Sequence, residues 1–357
     1  MNDFFKDLKI VELANVLAGP AVGLFFAELG ADVIKIENKL SNGDVTRSWK
    51  IPAEDQQAPS SAYFASVNWN KKSIFIDLNS PQEKQQVYDL IKQADIVISN
   101  YKKGDDIKHQ MDYTSLKKIN PGLIYAHISG FGDESKRTAY DLILQAETGF
   151  MFMNGTASSG PLKMPVALID ILAAHQLKEG VLIALIKKMK TSKGSYVTVS
   201  LEDAAVASLA NQASNWLMAG HNHLPSGSLH PNIAPYGEVF ITSDQKKMVM
   251  AIGSDKQFKK LCALLKCSYL VSDARFMNNT QRVIHRITLF EILQEKIKEM
   301  EAAVLMKQLM EGDVPAGLIK SVKEVFESNS MQSMVLAEHI NNQVSKRVKT
   351  VVFKVSD

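Results

Sequence analysis

The 357-residue sequence has little cysteine, no long hydrophobic run and no marked excess of either charge. Its two cysteines, Cys262 and Cys267, form no C-x-x-C pair and fit two buried structural thiols, so we expect the reducing environment of the cytoplasm. No apolar run approaches the ~20 residues of a membrane-spanning helix. The N-terminus also lacks the basic and apolar regions of a secretory signal. We therefore expect no membrane partner.

Charge and composition narrow the protein class further. There are 41 Lys and Arg against 38 Asp and Glu, a formal net charge of +3, with 46% hydrophobic and 22% charged residues. Nucleic-acid-binding domains usually carry a strong basic excess, so we expect no nucleic-acid partner and at most a local site for one anionic ligand. At ~150 residues per domain, the length predicts about two globular domains that need no disulfide or structural metal.

Common signatures of nucleotide, hydrolase and metal sites are also missing. The sequence has no G-x-x-x-x-G-K-[ST] phosphate loop, no G-x-G-x-x-G after the first predicted strand and no G-x-S-x-G nucleophile elbow. His221 and His223 stand in a loop without an acidic or cysteine neighbour, so we expect no metal site.

The order of predicted elements is typical of an open α/β sheet. Strands are predicted at 9–13, 32–36, 95–99, 123–129 and 196–200, with helices at 21–29, 81–94, 168–189 and 201–216. Such alternation predicts a parallel sheet with helices on both faces. The loop at 220–235 is rich in Gly, Pro, Asn and Ser and is the best candidate linker. Beyond it, a hairpin at 238–242 and 247–252 and three helices predict a smaller α+β domain.

The turn at 15–20 follows the first predicted strand, at the sheet edge where open α/β proteins bind ligands. Gly19 allows close backbone approach and the following helix offers free N–H groups to an anion, although a plain βα turn is an equally good interpretation. A polyanionic ligand could also use some of the lysines in nearby loops, each of which taken singly is better explained as surface charge. These are Lys39, Lys71, Lys72, Lys102, Lys103 and Lys108.

Asp170 is the most informative carboxylate, because it is the one charged residue in the apolar segment 165–174. It could cap a helix by accepting N–H groups of the next turn, and the cap is the better interpretation on local pattern alone. The two roles are compatible, since a carboxylate aimed from a helix start can also attack an electrophile.

Several motifs occur in a fixed order along the chain. They include LKIVEL at 8–13 followed by AGP at 18–20, LGADVIKIE at 29–37, GDVTR at 43–47, ADIVISN at 94–100, NPGLIYAHISGFG at 120–132 and VPAG at 314–317. Together these segments, from about Leu8 to Val325, resemble the class III CoA-transferases, also called the CaiB/BaiF family.

The resemblance implies a homodimer whose two chains are threaded through each other like links. Each chain would have a large domain with an open, mostly parallel Rossmann-like sheet and a smaller α+β domain. We accordingly expect a large CoA-binding domain at 1–219, the linker at 220–235, the small domain at 236–325 and a C-terminal return to the large domain at 326–357.

The resemblance also implies CoA transfer between carboxylic acids, with Asp170 as the nucleophile that forms an aspartyl-CoA thioester. Acyl-CoA and a small carboxylic acid would be substrates, and no cofactor would be tightly bound. CoA-binding positions carried over from the family are Val16, Ala18, Asn38, Lys39, Ile76, Asn100 and Lys108. Substrate-contact positions are Leu17 and Tyr140.

Departures from the family pattern bear on the substrate. Asn38 and Lys108 stand where the family often has Arg, and Lys39 can substitute for the first. Leu17 stands where the formyl-CoA enzymes have Gln, and their glycine-rich covering loop is not visible, which argues for an acid less polar than formate or oxalate.

Two alternatives stay open. The family includes 2-methylacyl-CoA racemases, but their catalytic His would align at Tyr140, and a phenol with an ordinary pKa of about 10 is a poor general base. The chain could also be a CoA-binding homologue without catalysis.

Overall fold

The computed structural model describes residues 3–340 and 343–356. Residues 1 and 2 of the predicted large domain, and residues 341, 342 and 357 of the predicted return, lie outside this range. The chain divides into two compact units. The first comprises residues 1–151, 163–223 and 333–357, and the second comprises residues 152–162 and 224–332.

The helices and strands of the first 220 residues alternate along the chain. They are β1 (Lys9–Glu12), α1 (Ala18–Glu28), β2 (Asp32–Asn38), α2 (Ala62–Asn68), β3 (Lys71–Ile76), α3 (Pro81–Gln93), β4 (Ile96–Ser99), α4 (Asp105–His109), α5 (Tyr113–Ile119), β5 (Ile124–Ser129), α6 (Asp141–Glu147), α7 (Phe150–Met153), β6 (Gly155–Thr156), β7 (Gly160–Pro161), α8 (Leu168–Thr191), β8 (Ser195–Ser200), α9 (Leu201–Ala207) and α10 (Asn211–Ala219).

The later elements are shorter on average. They are β9 (Tyr236–Ile241), β10 (Lys247–Ala251), α11 (Asp255–Leu264), α12 (Asn279–Ile284), α13 (Arg286–Ile297), α14 (Ala302–Glu311), β11 (Ala316–Leu318), α15 (Val322–Phe326), β12 (Val335–Ile340) and β13 (Gln343–Val348). No helix in the described part of the chain is long and apolar enough to cross a bilayer.

The first unit is built on a six-stranded sheet in the order β3-β2-β1-β4-β5-β8, with every pairing parallel. The predicted open parallel sheet is thereby confirmed. The strand order reverses between β1 and β4, and in open α/β sheets the crevice at such a reversal binds ligands. The sequence-predicted turn after β1 lies at this reversal.

The central strands form because their side chains are buried on both faces of the sheet. Ile96 and Ile98 of β4 pack into one core layer and Val97 into the other. In β5, Ile124 and Ala126 face the first layer and Tyr125 the second. Continuous apolar runs of this kind are typical of parallel strands covered by helices on both sides.

Helix ends show where local sequence determines structure. Gly30 follows α1 with φ 95°, and the Ala31 N–H donates to the Phe26 carbonyl at 3.0 Å, which closes the helix as the glycine predicts. Ser80 accepts the Glu83 N–H at the start of α3, as its position before Pro81 predicts.

Two predictions about elements were wrong, and one strand of the large sheet was not predicted. The single helix expected at 201–216 is broken between α9 and α10, because Ser208 and Leu209 close i→i−3 bonds and Ala210 has φ 49°. The edge strand β3 was missed, since four of its six side chains are polar or exposed. Asp170 does not cap α8: the cap position is Ala167, and Asp170 lies inside the first turn.

The second unit contains the predicted hairpin. β9 and β10 pair antiparallel with Met248 opposite Phe240, and β11, which the sequence did not predict, adds a third strand beside β10. Cys262 and Cys267 are both fully buried free thiols in the core of this unit, as expected.

Residues 333–357 belong to the first unit, and a buried carboxylate attaches them to α1. Glu28 forms an ion pair with Arg347 at 2.7 Å and accepts the N–H groups of Thr350 and Val351. The hydrogen bonds lower the pKa of Glu28 against the opposing effect of burial, which is the largest single influence. The end of the described chain is therefore held by specific contacts.

Candidate active site

A cavity of about 190 Å³ opens at the carboxyl ends of β1, β4 and β5. Its walls come from the turn after β1, the segment after β4, the end of β5 and the first turns of α8 and α9. They bring together residues far apart in sequence, among them Asn15, Asn100, His127 and Asp170. This volume is below the ~300–1,000 Å³ of a typical ligand pocket, so the cavity suits a small group better than a whole large ligand.

The turn after β1 is held by side chains from two other loops. The Asn15 N–H donates to the Asn100 side-chain oxygen at 2.9 Å, and the Asn100 amide donates back to the Asn15 carbonyl at 2.8 Å. Asp44 accepts the Val16 N–H at 3.1 Å. These bonds keep Val16 at φ 69°, a left-handed conformation that is costly for a β-branched residue.

Gly19 meets a packing requirement in the same turn. A Cβ atom on Gly19 would lie 2.3 Å from the Cβ of Ala14, so only glycine lets α1 approach the end of β1 this closely. The sequence left ligand approach and a plain βα turn equally open for Gly19, and the structure shows that this glycine allows close packing of α1.

Buried ion pairs lie beneath the turn. Lys35 is fully buried between Glu12 and Asp44, at 3.1 Å from each, and donates to the Ala14 carbonyl at 2.6 Å. Lys71 is also buried, 2.8 Å from Glu12, and burial lowers its pKa to about 8. The interpretation of Lys71 as solvated surface charge was therefore wrong, because its ammonium group neutralises Glu12 inside the fold.

Asp170 lines the cavity from the first turn of α8 and is 8% exposed. Burial, with a smaller contribution from the nearby Asp141 charge, raises its pKa from 3.8 to about 7. Within the described residues its carboxylate has no hydrogen-bond or ion-pair partner. It is thus a buried carboxyl group with a pKa near neutrality.

Asp141 holds the start of α8 in place. Its carboxylate accepts the Ile169 N–H at 2.8 Å and the Gln145 side-chain amide at 2.7 Å. Asp141, which belongs to α6, therefore takes the place of an N-cap for α8. Asp170 is left without a hydrogen bond in the described residues. Pattern reasoning missed Asp141 because the two aspartates are far apart along the chain.

A second cavity of about 290 Å³ lies at the ends of β2 and β3 and shares Asn15 and Tyr101 with the first. Asn38, Ile76 and His109 are among its lining residues. The two cavities therefore adjoin along the carboxyl edge of the sheet, as the two parts of a groove for an elongated ligand would.

The structure brings most of the carried-over positions to this edge. Those lining the Asp170 cavity are Val16, Leu17, Ala18, Asn100 and Tyr140, and those lining the second cavity are Asn38 and Ile76. Lys39 and Lys108 line neither: Lys39 pairs with Glu83 at 2.9 Å, and Lys108 is exposed on α4. The sequence analysis did not select Tyr101, in the loop after β4, or His109, at the end of α4, although their position beyond β4 could have indicated them.

Three basic residues line the Asp170 cavity, and two of them pair with acids. Lys103 pairs with Glu134, and Arg137 pairs with Glu147 while lying over the Phe131 ring. Lys102 has no carboxylate partner in the described part of the chain and donates to the Thr138 hydroxyl at 3.1 Å. Lys102 is therefore the lining cation best placed to bind an anionic group.

No group of His, Cys, Asp and Glu within the described ranges has the arrangement of a metal site. The chemistry available to the cavity is that of the Asp170 carboxylate, which can act as a nucleophile or as a base on a bound ligand.

Comparisons with known proteins agree on one family. The sequence model of CoA-transferase family III matches residues 5–357. A succinate–glutarate CoA-transferase from Agrobacterium fabrum is 37% identical over 332 residues, covering 91% of this chain and 82% of that protein. A succinyl-CoA:glutarate CoA-transferase from Homo sapiens is 33% identical over 325 residues, covering 90% and 73%. A crystal structure of a CaiB/BaiF family protein from Brucella suis matches with a TM-score of 0.88 and 37% identity, covering 100% of this chain and 94% of that one.

Proposed function

Because the chain belongs to CoA-transferase family III, we propose that it moves CoA from an acyl-CoA thioester to a carboxylic acid through Asp170. The observation that carries this assignment is the state of Asp170: buried, without a partner in the described residues, and facing a cavity large enough for a small reacting group. A purely structural carboxylate at this depth would be hydrogen-bonded or paired.

The adjoining cavities support a binding mode for CoA. The nucleotide end occupies the cavity lined by Asn38 and Ile76, and the pantetheine arm passes Asn15 and Tyr101 toward Asp170. Lys102 supplies a cation without an acidic partner along this path. The acyl carbonyl then reaches the Asp170 carboxylate while the bulk of the ligand stays outside the smaller cavity.

The reaction consists of four exchanges at carbonyl carbons. The Asp170 carboxylate attacks the thioester carbonyl, the C–S bond breaks, and CoA thiolate leaves a mixed anhydride. The thiolate attacks the aspartyl carbonyl, releasing the donor acid and forming an aspartyl-CoA thioester. The acceptor carboxylate displaces the thiolate to give a second anhydride, and the thiolate attacks the acceptor acyl carbon, which frees Asp170. Covalent catalysis of this kind keeps the thioester energy in an activated acyl group throughout.

Incubation of the protein with a panel of acyl-CoAs and free acids tests the proposal, with mass spectrometry to detect new acyl-CoAs. The names of the relatives make succinyl-CoA with glutarate the first pair to try. With donor present, hydroxylamine should convert the Asp170 side chain to a hydroxamate, and Asp170→Asn should abolish turnover. Asp32→Asn is the matched control, since Asp32 is partly exposed and pairs with the exposed Lys72.

Three results would reject the proposal. Full turnover by Asp170→Asn would exclude the aspartate as nucleophile. CoA binding without exchange for any acid would indicate a homologue that has lost catalysis. Deuterium incorporation at the α-carbon of a 2-methylacyl-CoA in D₂O, without CoA transfer, would indicate a racemase instead.

A further inference from the structure

The end of β5 carries two buried polar atoms that have no partner in the described residues. These are Nδ1 of His127 and the hydroxyl oxygen of Ser129. Buried polar groups are normally hydrogen-bonded, and an unpaired one lowers stability, so each needs an explanation. His127 is 7% exposed, and both residues line the cavity that holds Asp170.

The side chains of His127 and Ser129 lie close enough together to contact one ligand. Residues two apart in a strand project from the same face, with a separation of about 7 Å along the strand. β5 is paired on both sides, with Ser99 and Thr198 opposite His127, so its backbone position is fixed by the sheet. A ligand entering the cavity toward Asp170 therefore meets a rigid wall with two unused polar atoms.

The protonation state of His127 limits the ligand chemistry. Burial lowers the pKa of His127, against weaker opposing effects of the Asp133 and Asp106 carboxylates and of the Ser99 backbone, and the lowered pKa favours the neutral ring. A neutral ring carries one hydrogen, and with that hydrogen on Nδ1 the unpartnered nitrogen is a donor. Ser129 adds a hydroxyl donor. Asp133, the neighbouring acid in the cavity wall, already accepts hydrogen bonds from Tyr196 at 2.8 Å and Thr198 at 2.7 Å.

We infer that His127 and Ser129 bind the far carboxylate of a short dicarboxylic acyl group whose other carbonyl is at Asp170. This inference rests on the proposed CoA transfer and adds the recognition of the second acid group. A carboxylate has two acceptor oxygens and no donor, so it can accept from both side chains at once. An apolar acyl chain of the same length would leave both atoms unpaired and is disfavoured for that reason.

The experiment compares three acceptors of five carbons: glutarate, 5-amino-5-oxopentanoate and pentanoate, each with the same acyl-CoA donor. Wild-type protein should prefer glutarate. His127→Leu and Ser129→Ala should each lower kcat/KM for glutarate by about ten- to one-hundredfold, the usual effect of losing a hydrogen bond to a charged group. The same variants should change kcat/KM for pentanoate by less than about threefold, and His127→Gln should recover part of the preference.

Thermal melting and CoA binding establish that each variant is folded. Equal losses for glutarate and pentanoate would show that His127 and Ser129 act only through the structure of β5, and would overturn the inference. Equal use of the three acids by wild-type protein would overturn it as well. If wild-type protein transfers CoA to none of the panel, the proposed function itself fails, and this result is distinct from a loss of selectivity.

Discussion

Asp170 is a carboxyl group held where its ionised form is unfavourable. Its pKa of about 7 comes first from burial and then from the Asp141 charge, while its place in the first turn of α8 favours ionisation through the helix dipole. The fold therefore gives up stability by keeping this carboxyl group away from water, which fits its proposed role as nucleophile. Active sites commonly show this exchange of stability for function.

A dependence of stability on pH follows for Asp170→Asn. Because the folded-state pKa lies above 3.8, the folded protein keeps a proton that the unfolded chain loses, and stability falls as pH rises from about 4 to about 7. Asparagine removes this cost, so the variant should gain stability at pH 8 by up to about 4 kcal/mol and gain little at pH 4. Urea unfolding at several pH values measures the difference. A gain that does not change with pH would contradict the raised pKa, and Asp32→Asn should show no gain.

Asp170 and Lys71 show how much of the site can be inferred from a single sequence. Asp170 could be selected because an acid inside an apolar run is conspicuous. Its cap role could not be excluded, since the group that replaces the cap, Asp141, is brought near only by the fold. Lys71 could not be separated from surface lysines because Glu12, its buried partner, lies on another strand.

Among the elements, the turn after β1 connects the buried ion pairs beneath it with the two adjoining cavities. Asp44 accepts the Val16 N–H and also pairs with Lys35, so the same carboxylate positions the turn and neutralises the lysine. The left-handed conformation of Val16 persists because these contacts hold it.

Lys35→Met should therefore be strongly destabilising. It leaves the buried carboxylates of Glu12 and Asp44 with less compensation, and breaking a buried ion pair costs about 3–5 kcal/mol. Lys72→Met is the matched control, since Lys72 pairs with Asp32 on the surface and its loss should cost less than about 1 kcal/mol. Urea unfolding of the two variants provides the test. Similar losses for both would show that the buried pairs contribute little.

Prediction of the elements succeeded where burial sets the residue pattern. β4 and β5 are continuous apolar runs and were recognised as such. β3 and the hairpin of β12 and β13 were not predicted, because edge strands and hairpins with partly polar faces depend on their neighbours in the fold. The break between α9 and α10 was missed because alanine is a good helix former. Nothing in the local sequence indicates that Ala210 adopts a φ of 49°.

The ordered sequence motifs were more informative about the whole molecule than the periodicity of its apolar residues. Periodicity predicted an α/β sheet, a property shared by many unrelated enzymes. The motifs predicted the family, which the comparisons confirm. The linker and domain bounds, the cytoplasmic location and the interlocked homodimer stay predictions.

Exposed apolar side chains in the first unit are consistent with a partner chain. Ile183, Ile186 and Met189 recur every third residue along α8 and are 54–86% exposed, and Leu217 and Met218 of α10 are 80% and 88% exposed. Large apolar patches on a protein surface usually mark an interface, and these exposed side chains are candidates for one. We therefore expect a homodimer, which sedimentation should detect as a particle with twice the mass of one chain.

Interlocking makes a stronger prediction than dimerisation. Two chains threaded through each other cannot separate without unfolding, whereas ordinary dimers exchange subunits at the rate at which they dissociate. Tagged and untagged dimers mixed in native buffer should therefore form no hybrids over days, as measured by native mass spectrometry. The same mixture, unfolded in urea and refolded, should contain hybrids in statistical proportion. Hybrid formation without denaturant, at the rate of dimer dissociation, would show a simple dimer whose chains are not linked.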